Sequence, residues 1–79
     1  MPNPFKKETI IKYQIPEIIN TAYIYIHDLN GAEVMVLPIT ERGVVSVIIK
    51  GSVLQKGMYT YSLVADNKIY DTKKLILTE

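Results

Sequence analysis

The chain has 79 residues and a net charge of +1, nine Lys or Arg against eight Asp or Glu, with one histidine and no cysteine. A balance so near neutral, with lysines scattered rather than clustered, excludes a nucleic-acid interface built on dense phosphate neutralisation. No apolar run approaches the ~18 residues that span a bilayer as a helix, and the opening MPNPFKKETI lacks the apolar centre of a signal peptide, so an export signal is expected only on an upstream part of a longer protein.

Residues 1–4 are expected to be the remnant of a linker, and residues 5–79 a single small domain. The first strand is TIIKYQI, which places Ile11, Tyr13 and Ile15 on one face and Lys12 and Gln14 on the other, and it stops at Pro16. AYIYIHD is next, with Ala22, Ile24 and Ile26 opposed to Tyr23, Tyr25 and His27. Both of its faces are bulky, which predicts a strand that is central or covered on both sides. Asn30-Gly31 then predicts a tight hairpin, because both residues tolerate positive φ. The return strand EVMVLPI carries Pro38, which cannot donate to a ladder and so marks either the end of the strand or an edge.

VVSVIIK follows, with Val45, Val47 and Ile49 in one row and Val44, Ser46 and Ile48 in the other, broken by Gly51 and Ser52. SVLQKG is too short for a stable helix and is read as a turn that tucks Leu54 inward before Gly57. MYTYSLVA aligns Tyr59, Tyr61, Leu63 and Ala65; Asp66-Asn67-Lys68 is a turn; and IYDTKKLIL is the final strand, expected to kink near Asp71. In that strand Leu75 and Leu77 share a face with Lys73, while Lys74 and Ile76 share the other. Short strands at roughly 8–12-residue spacing, with no 3.6-residue period, predict an all-β fold, an immunoglobulin-like β-sandwich of six or seven antiparallel strands, with a small barrel as the alternative. Such a sandwich leaves edge strands, and the expectation is an edge-to-edge homodimer through a terminal strand.

The sequence offers no catalytic constellation. His27 has no partner on its own face and is expected to be a solvent-facing strand residue. Asp28-Leu29-Asn30-Gly31 begins like a calcium loop, but its glycine comes fourth rather than sixth, so Asp28 is read as a turn former bonding local N–H groups. Serines 46, 52 and 62 lack a nucleophile-elbow context and a base. No cofactor or metal site is expected. The tyrosines remain: Tyr23 and Tyr25 with His27, or Tyr59 with Tyr61, are candidate sugar-stacking strips, weighed against the commoner role of packed sandwich tyrosines.

Four stretches in this order resemble the type A C-terminal sorting domain of type IX secretion cargo. Asn3-Pro4-Phe5 with ETIIKYQIP resembles its opening motif and first strand, and YIYIHDLNGAEV its central strand, Asp-Leu-x-Gly turn and return. LQKGMYTYSL resembles its Leu-x-x-Gly-x-Tyr strand, and DTKKLIL its closing Lys-Lys-aliphatic strand. On that resemblance the sorting-motif residues are Asn3, Pro4, Asp28, Gly31, Leu54, Gly57, Tyr59, Lys73, Lys74, Leu75 and Leu77. Ala32 and Glu33 stand where the family often has a basic residue after the turn glycine, and the tail Leu77-Thr78-Glu79 also departs from its basic ending.

The resemblance implies a non-enzymatic domain attached to an upstream cargo. The domain would be carried through the periplasm, recognised by an outer-membrane translocon and a surface sortase, and delivered to the cell surface. The alternatives are a structural terminal domain of a surface or phage-tail-like fibre protein, or a carbohydrate-binding module.

Overall fold

The computed structural model describes residues 8–50 and 53–77. The linker stretch 1–4 with Asn3 and Pro4, the break at Gly51 and Ser52, and the last two residues lie outside the described residues. The described residues contain no α-helix and form six strands: β1 (Glu8–Ile15), β2 (Ala22–Asp28), β3 (Glu33–Pro38), β4 (Gly43–Lys50), β5 (Gly57–Ala65) and β6 (Lys68–Leu77). They pair into an antiparallel two-stranded sheet, β1-β4, and an antiparallel four-stranded sheet, β3-β2-β5-β6. This is the expected all-β sandwich.

Alternation decides which side chains meet between the sheets. β1 contributes Ile11 and Ile15 and β4 contributes Val45 and Ile49, all buried. From the larger sheet come Ala22, Ile24, Ile26, Tyr59, Leu63, Leu75 and Leu77, and Ile39 closes the set from the loop after β3. β2 is central, as its bulky faces require: Ile24 lies between Leu37 and Leu63, and Ile26 between Met35 and Tyr61. Both isoleucines are 0% exposed, each contributing roughly 1.5–3 kcal/mol by leaving water. β3 is an edge strand and ends at Pro38, where a missing N–H costs nothing.

Two details refine the reading of the last hairpin. Its turn has two residues, Asp66 (φ 49°) and Asn67 (φ 66°), and Lys68 already belongs to β6. The positive φ angles at both positions match the twist of the flanking strands, as in a type I′ turn. The kink in β6 is a bulge: Leu63 faces Asp71 but Val64 faces Ile69, which leaves Tyr70 as the extra residue.

Candidate functional site

The motif residues begin at a turn. The Asp28 carboxylate Oδ1 accepts the N–H of Asn30 and of Ala32, both at 2.9 Å, and its carbonyl accepts the N–H of Gly31 at 3.0 Å. Asp28 is therefore the expected turn former, and no cation is required to organise the loop. Gly31 sits at φ +85° with open space around it, so the glycine is there for its backbone. Gly57 at φ +151° meets the same requirement where the chain enters β5.

Strand pairing brings the remaining motif residues to that turn. Asp28 faces Tyr59, Tyr59 faces Leu75, and Gly57 faces Leu77. Leu54 packs against the core from the loop ahead of β5, and the Tyr59 hydroxyl donates to the Gln55 carbonyl in the same loop. Asp28, Gly31, Leu54, Gly57, Tyr59, Leu75 and Leu77, distant in sequence, thus assemble one end of the sandwich. Most of them are scaffold: Tyr59, Leu75 and Leu77 are buried and offer little surface to a partner.

What this end exposes is a set of residues that the sequence reading did not single out. A groove of about 490 Å³ runs past Asp28, Leu54, Gly57 and Tyr59. Its walls include Leu29 (69% exposed), Val34, Val53 and Met58, and Ile76 faces Met58 from β6. The signal for them was available: Met58 and Ile76 fall on the outward row of their strands, and Leu29 is the apolar residue of the Asp-Leu-x-Gly turn itself.

Lys73 and Lys74 lie further along β6. Lys74 is on the outward face, in a row with Thr60 and His27. Lys73 is on the inward face at the sheet edge, where its ammonium stands 3.7 Å from the Asp71 carboxylate, and both groups remain in contact with solvent. Screening there makes the pair a weak contributor to stability.

The opposite end is closed by polar contacts. The Asp66 carboxylate accepts the N–H groups of Asn20 and Thr21, each at 2.9 Å, while the Asp66 N–H donates to the Thr21 carbonyl. The Arg42 guanidinium donates to the carbonyls of Ile19, Asn20, Ile39 and Glu41. Neither role was foreseen, because each joins segments more than twenty residues apart and no local pattern encodes it. Between the sheets, the Tyr13 hydroxyl donates to Asp71 across 3.4 Å. Burial, then the Asp71 charge and Tyr61, push the Tyr13 phenol up to about 12.

The tyrosine strips divide. Tyr59 and Tyr61 pack into the core, so their sugar-stacking reading fails: they are on the inward face. Tyr23, Tyr25 and His27 do form an outward row on β2, with ring centroids 6.1 Å and 6.4 Å apart. These rings lie against one another and are half-buried, so His27 is stacked on Tyr25 rather than fully solvent-facing. Among the described residues no three His, Asp or Glu side chains gather to hold a metal, and no buried side-chain polar atom lacks a partner.

Compared with known families, residues 1–78 match the model described as the secretion system C-terminal sorting domain. Neither a curated protein nor a solved structure matches the chain.

Proposed function

The chain belongs to the family of secretion system C-terminal sorting domains, and from that membership we propose that it sorts its cargo through the end of the sandwich built by the motif residues. It is a sorting signal for type IX secretion, whose cargo crosses the outer membrane to the cell surface. The family match favours this role over a fibre end or a glycan module.

In the proposed mechanism the domain has no catalytic part. Asp28, Gly31, Leu54, Gly57, Tyr59, Leu75 and Leu77 set the shape of the recognition end, with Lys73 and Lys74 adding positive charge beside it. Asn3 and Pro4 belong to the same signal at the junction with the upstream cargo. The partners are the outer-membrane translocon, met from the periplasmic side, and afterwards a surface sortase.

The observation that carries this reading is the convergence of three separate motif stretches on a single end, under an exposed apolar rim of Leu29, Val34, Val53, Met58 and Ile76. Exposed apolar residues grouped in this way mark interaction sites. The test is a secreted reporter fused to the chain in a cell with a working type IX system. Replacing Leu29, Met58 and Ile76 together by serine should leave the thermal melt of the purified chain in place and strongly reduce surface delivery. Unchanged delivery by a folded triple variant would overturn this placement of the recognition surface.

A further inference from the structure

Among the described residues four strands have an unpaired side, and three of them carry devices that discourage pairing with another chain. β3 ends in Pro38 and begins with Glu33. β6 is bulged at Tyr70, turns Asp71 and Lys73 inward at its edge, and carries Lys74 outward. β1 has Glu8 and Lys12 on its solvent row.

β4 has only Lys50, at its last position. It runs eight residues in continuous register with β1, without proline or bulge, and with no charge before Lys50. Its outward row of Val44 (78% exposed), Ser46 and Ile48 (51%) is apolar apart from one hydroxyl. The inward Val47 stays only half-buried beside a groove of about 250 Å³ that separates β4 from β3.

We propose that β4 is a pairing edge for a second copy of this chain, joined antiparallel about a twofold axis through Ser46. The axis stands perpendicular to the sheet, so facing residues keep the same face, and only registers centred on a residue are allowed. Centring on Ser46 sets Val45 against Val47 of the second copy and Val44 against its Ile48, so apolar meets apolar on both faces. Centring one residue later would set Ser46 against Ile48 and Lys50 against Val44. At the ends of the chosen register Lys50 comes opposite Arg42 of the second copy, whose guanidinium is already turned onto four backbone carbonyls. The product is a continuous β1-β4-β4-β1 sheet with Val47 covered. The expected homodimer is thereby assigned to β4 rather than to the terminal strand, and the assignment is independent of the sorting role.

The chain has no cysteine, which makes the register directly testable. Facing residues of an antiparallel pair have Cα atoms about 4.5–5.5 Å apart, within reach of a disulfide or a short bis-maleimide. Ser46→Cys in the full chain should cross-link to a dimer on oxidation or with the reagent. Val44→Cys alone should not, whereas Val44→Cys with Ile48→Cys should. A cysteine at Tyr70 on β6 should stay monomeric under the same conditions. Ser46→Lys, a change at an exposed site, places two like charges face to face and should raise the dimer dissociation constant at least about tenfold in sedimentation equilibrium while leaving the melting curve in place. Strict monomer behaviour of the unmodified chain at millimolar concentration would overturn the proposal, as would cross-linking at position 70 in preference to 46. So would loss of binding to another protein, rather than to itself, as the only consequence of Ser46→Lys.

Discussion

The two ends of the sandwich are held by different physics. At one end Asp66 and Arg42 tie the β1–β2 loop, the β3–β4 loop and the last turn through hydrogen bonds to backbone groups. Charge-assisted bonds of this kind satisfy the backbone groups of the loops, while Ile18, Val44 and Ile69 stand exposed around them on three separate segments. At the other end a single polar turn at Asp28 is backed by Tyr59, Leu75 and Leu77 in the core, and the rim above them is apolar and exposed. The motif end differs in gathering its exposed apolar residues, Leu29, Val34, Val53 and Met58, along one groove, the arrangement on which the proposed recognition surface rests. On the proposed reading, the sorting motif specifies the scaffold under the contact surface more than the contact itself.

The largest effect should come from cutting the scaffold of the motif end. Truncating a buried leucine costs about 2–5 kcal/mol, and a small domain has roughly 5–15 kcal/mol in total. Leu75→Ala with Leu77→Ala should therefore bring the domain close to unfolding, and deletion of residues 73–79 should unfold it and abolish surface delivery. Urea melts followed by far-ultraviolet circular dichroism would check the first, and a surface-reporter assay the second. A truncated chain that melts like the intact one would break the assignment of Leu75 and Leu77 as the scaffold of that end.

Next in size is the polar end. Arg42→Ala removes donors to four carbonyls and should cost about 1–3 kcal/mol. Arg42→Lys should recover little of it, since a single ammonium cannot reproduce the planar fork. The comparison sharpens because this loss should leave delivery of the still-folded fraction unchanged. A folded Arg42→Ala chain that fails to reach the surface would show that both ends are read.

How much of this was legible in the sequence follows from range. The inward rows of β1, β2, β4, β5 and β6 are visible because a period of two is local, and Asn30-Gly31 and Pro38 mark a turn and an edge through their own backbone chemistry. The split into a two-stranded and a four-stranded sheet is not visible, because the partner of β4 is β1, with two strands of the other sheet between them in the chain. For the same reason the sequence placed Tyr59 and Tyr61 on a possible ligand strip and missed the clamps by Asp66 and Arg42. The motif residues were found by resemblance, whereas their joint position at one end required the pairing of Asp28 with Tyr59 and of Tyr59 with Leu75.

A smaller effect, confined to alkaline solution, should come from Tyr13, which sits between the two ends. Its folded pKa of about 12 lies above the ordinary tyrosine value of 10, so the folded state holds its proton where the unfolded chain has lost it. This contribution is fully present below pH 10 and is lost as the pH rises toward 12. Melting temperatures measured from pH 9 to 12 should fall more steeply for the native chain than for Tyr13→Phe. Parallel curves would mean that burial and Asp71 do not act on this phenol.

The smallest effect on stability is also the one that separates scaffold from contact most cleanly. Lys73 and Lys74 are solvent-exposed, Lys73 has only the screened 3.7 Å approach to Asp71, and exposed ion pairs contribute about 0–1 kcal/mol. Lys73→Gln with Lys74→Gln keeps the length and strand face of both side chains, so the melting curve should shift by no more than a degree or two. Removing Lys73 also frees the inward Asp71 of its cation, yet Asp71 remains partly solvated and keeps the Tyr13 hydroxyl. If these lysines contribute charge at the recognition end, delivery of the reporter should fall although the fold does not, and in a binding assay with purified translocon components the loss of association should be largest at low ionic strength and shrink as salt screens the native charges. Equal delivery by the double variant would confine recognition to the apolar rim and leave the Lys-Lys pair as a device that keeps the β6 edge soluble.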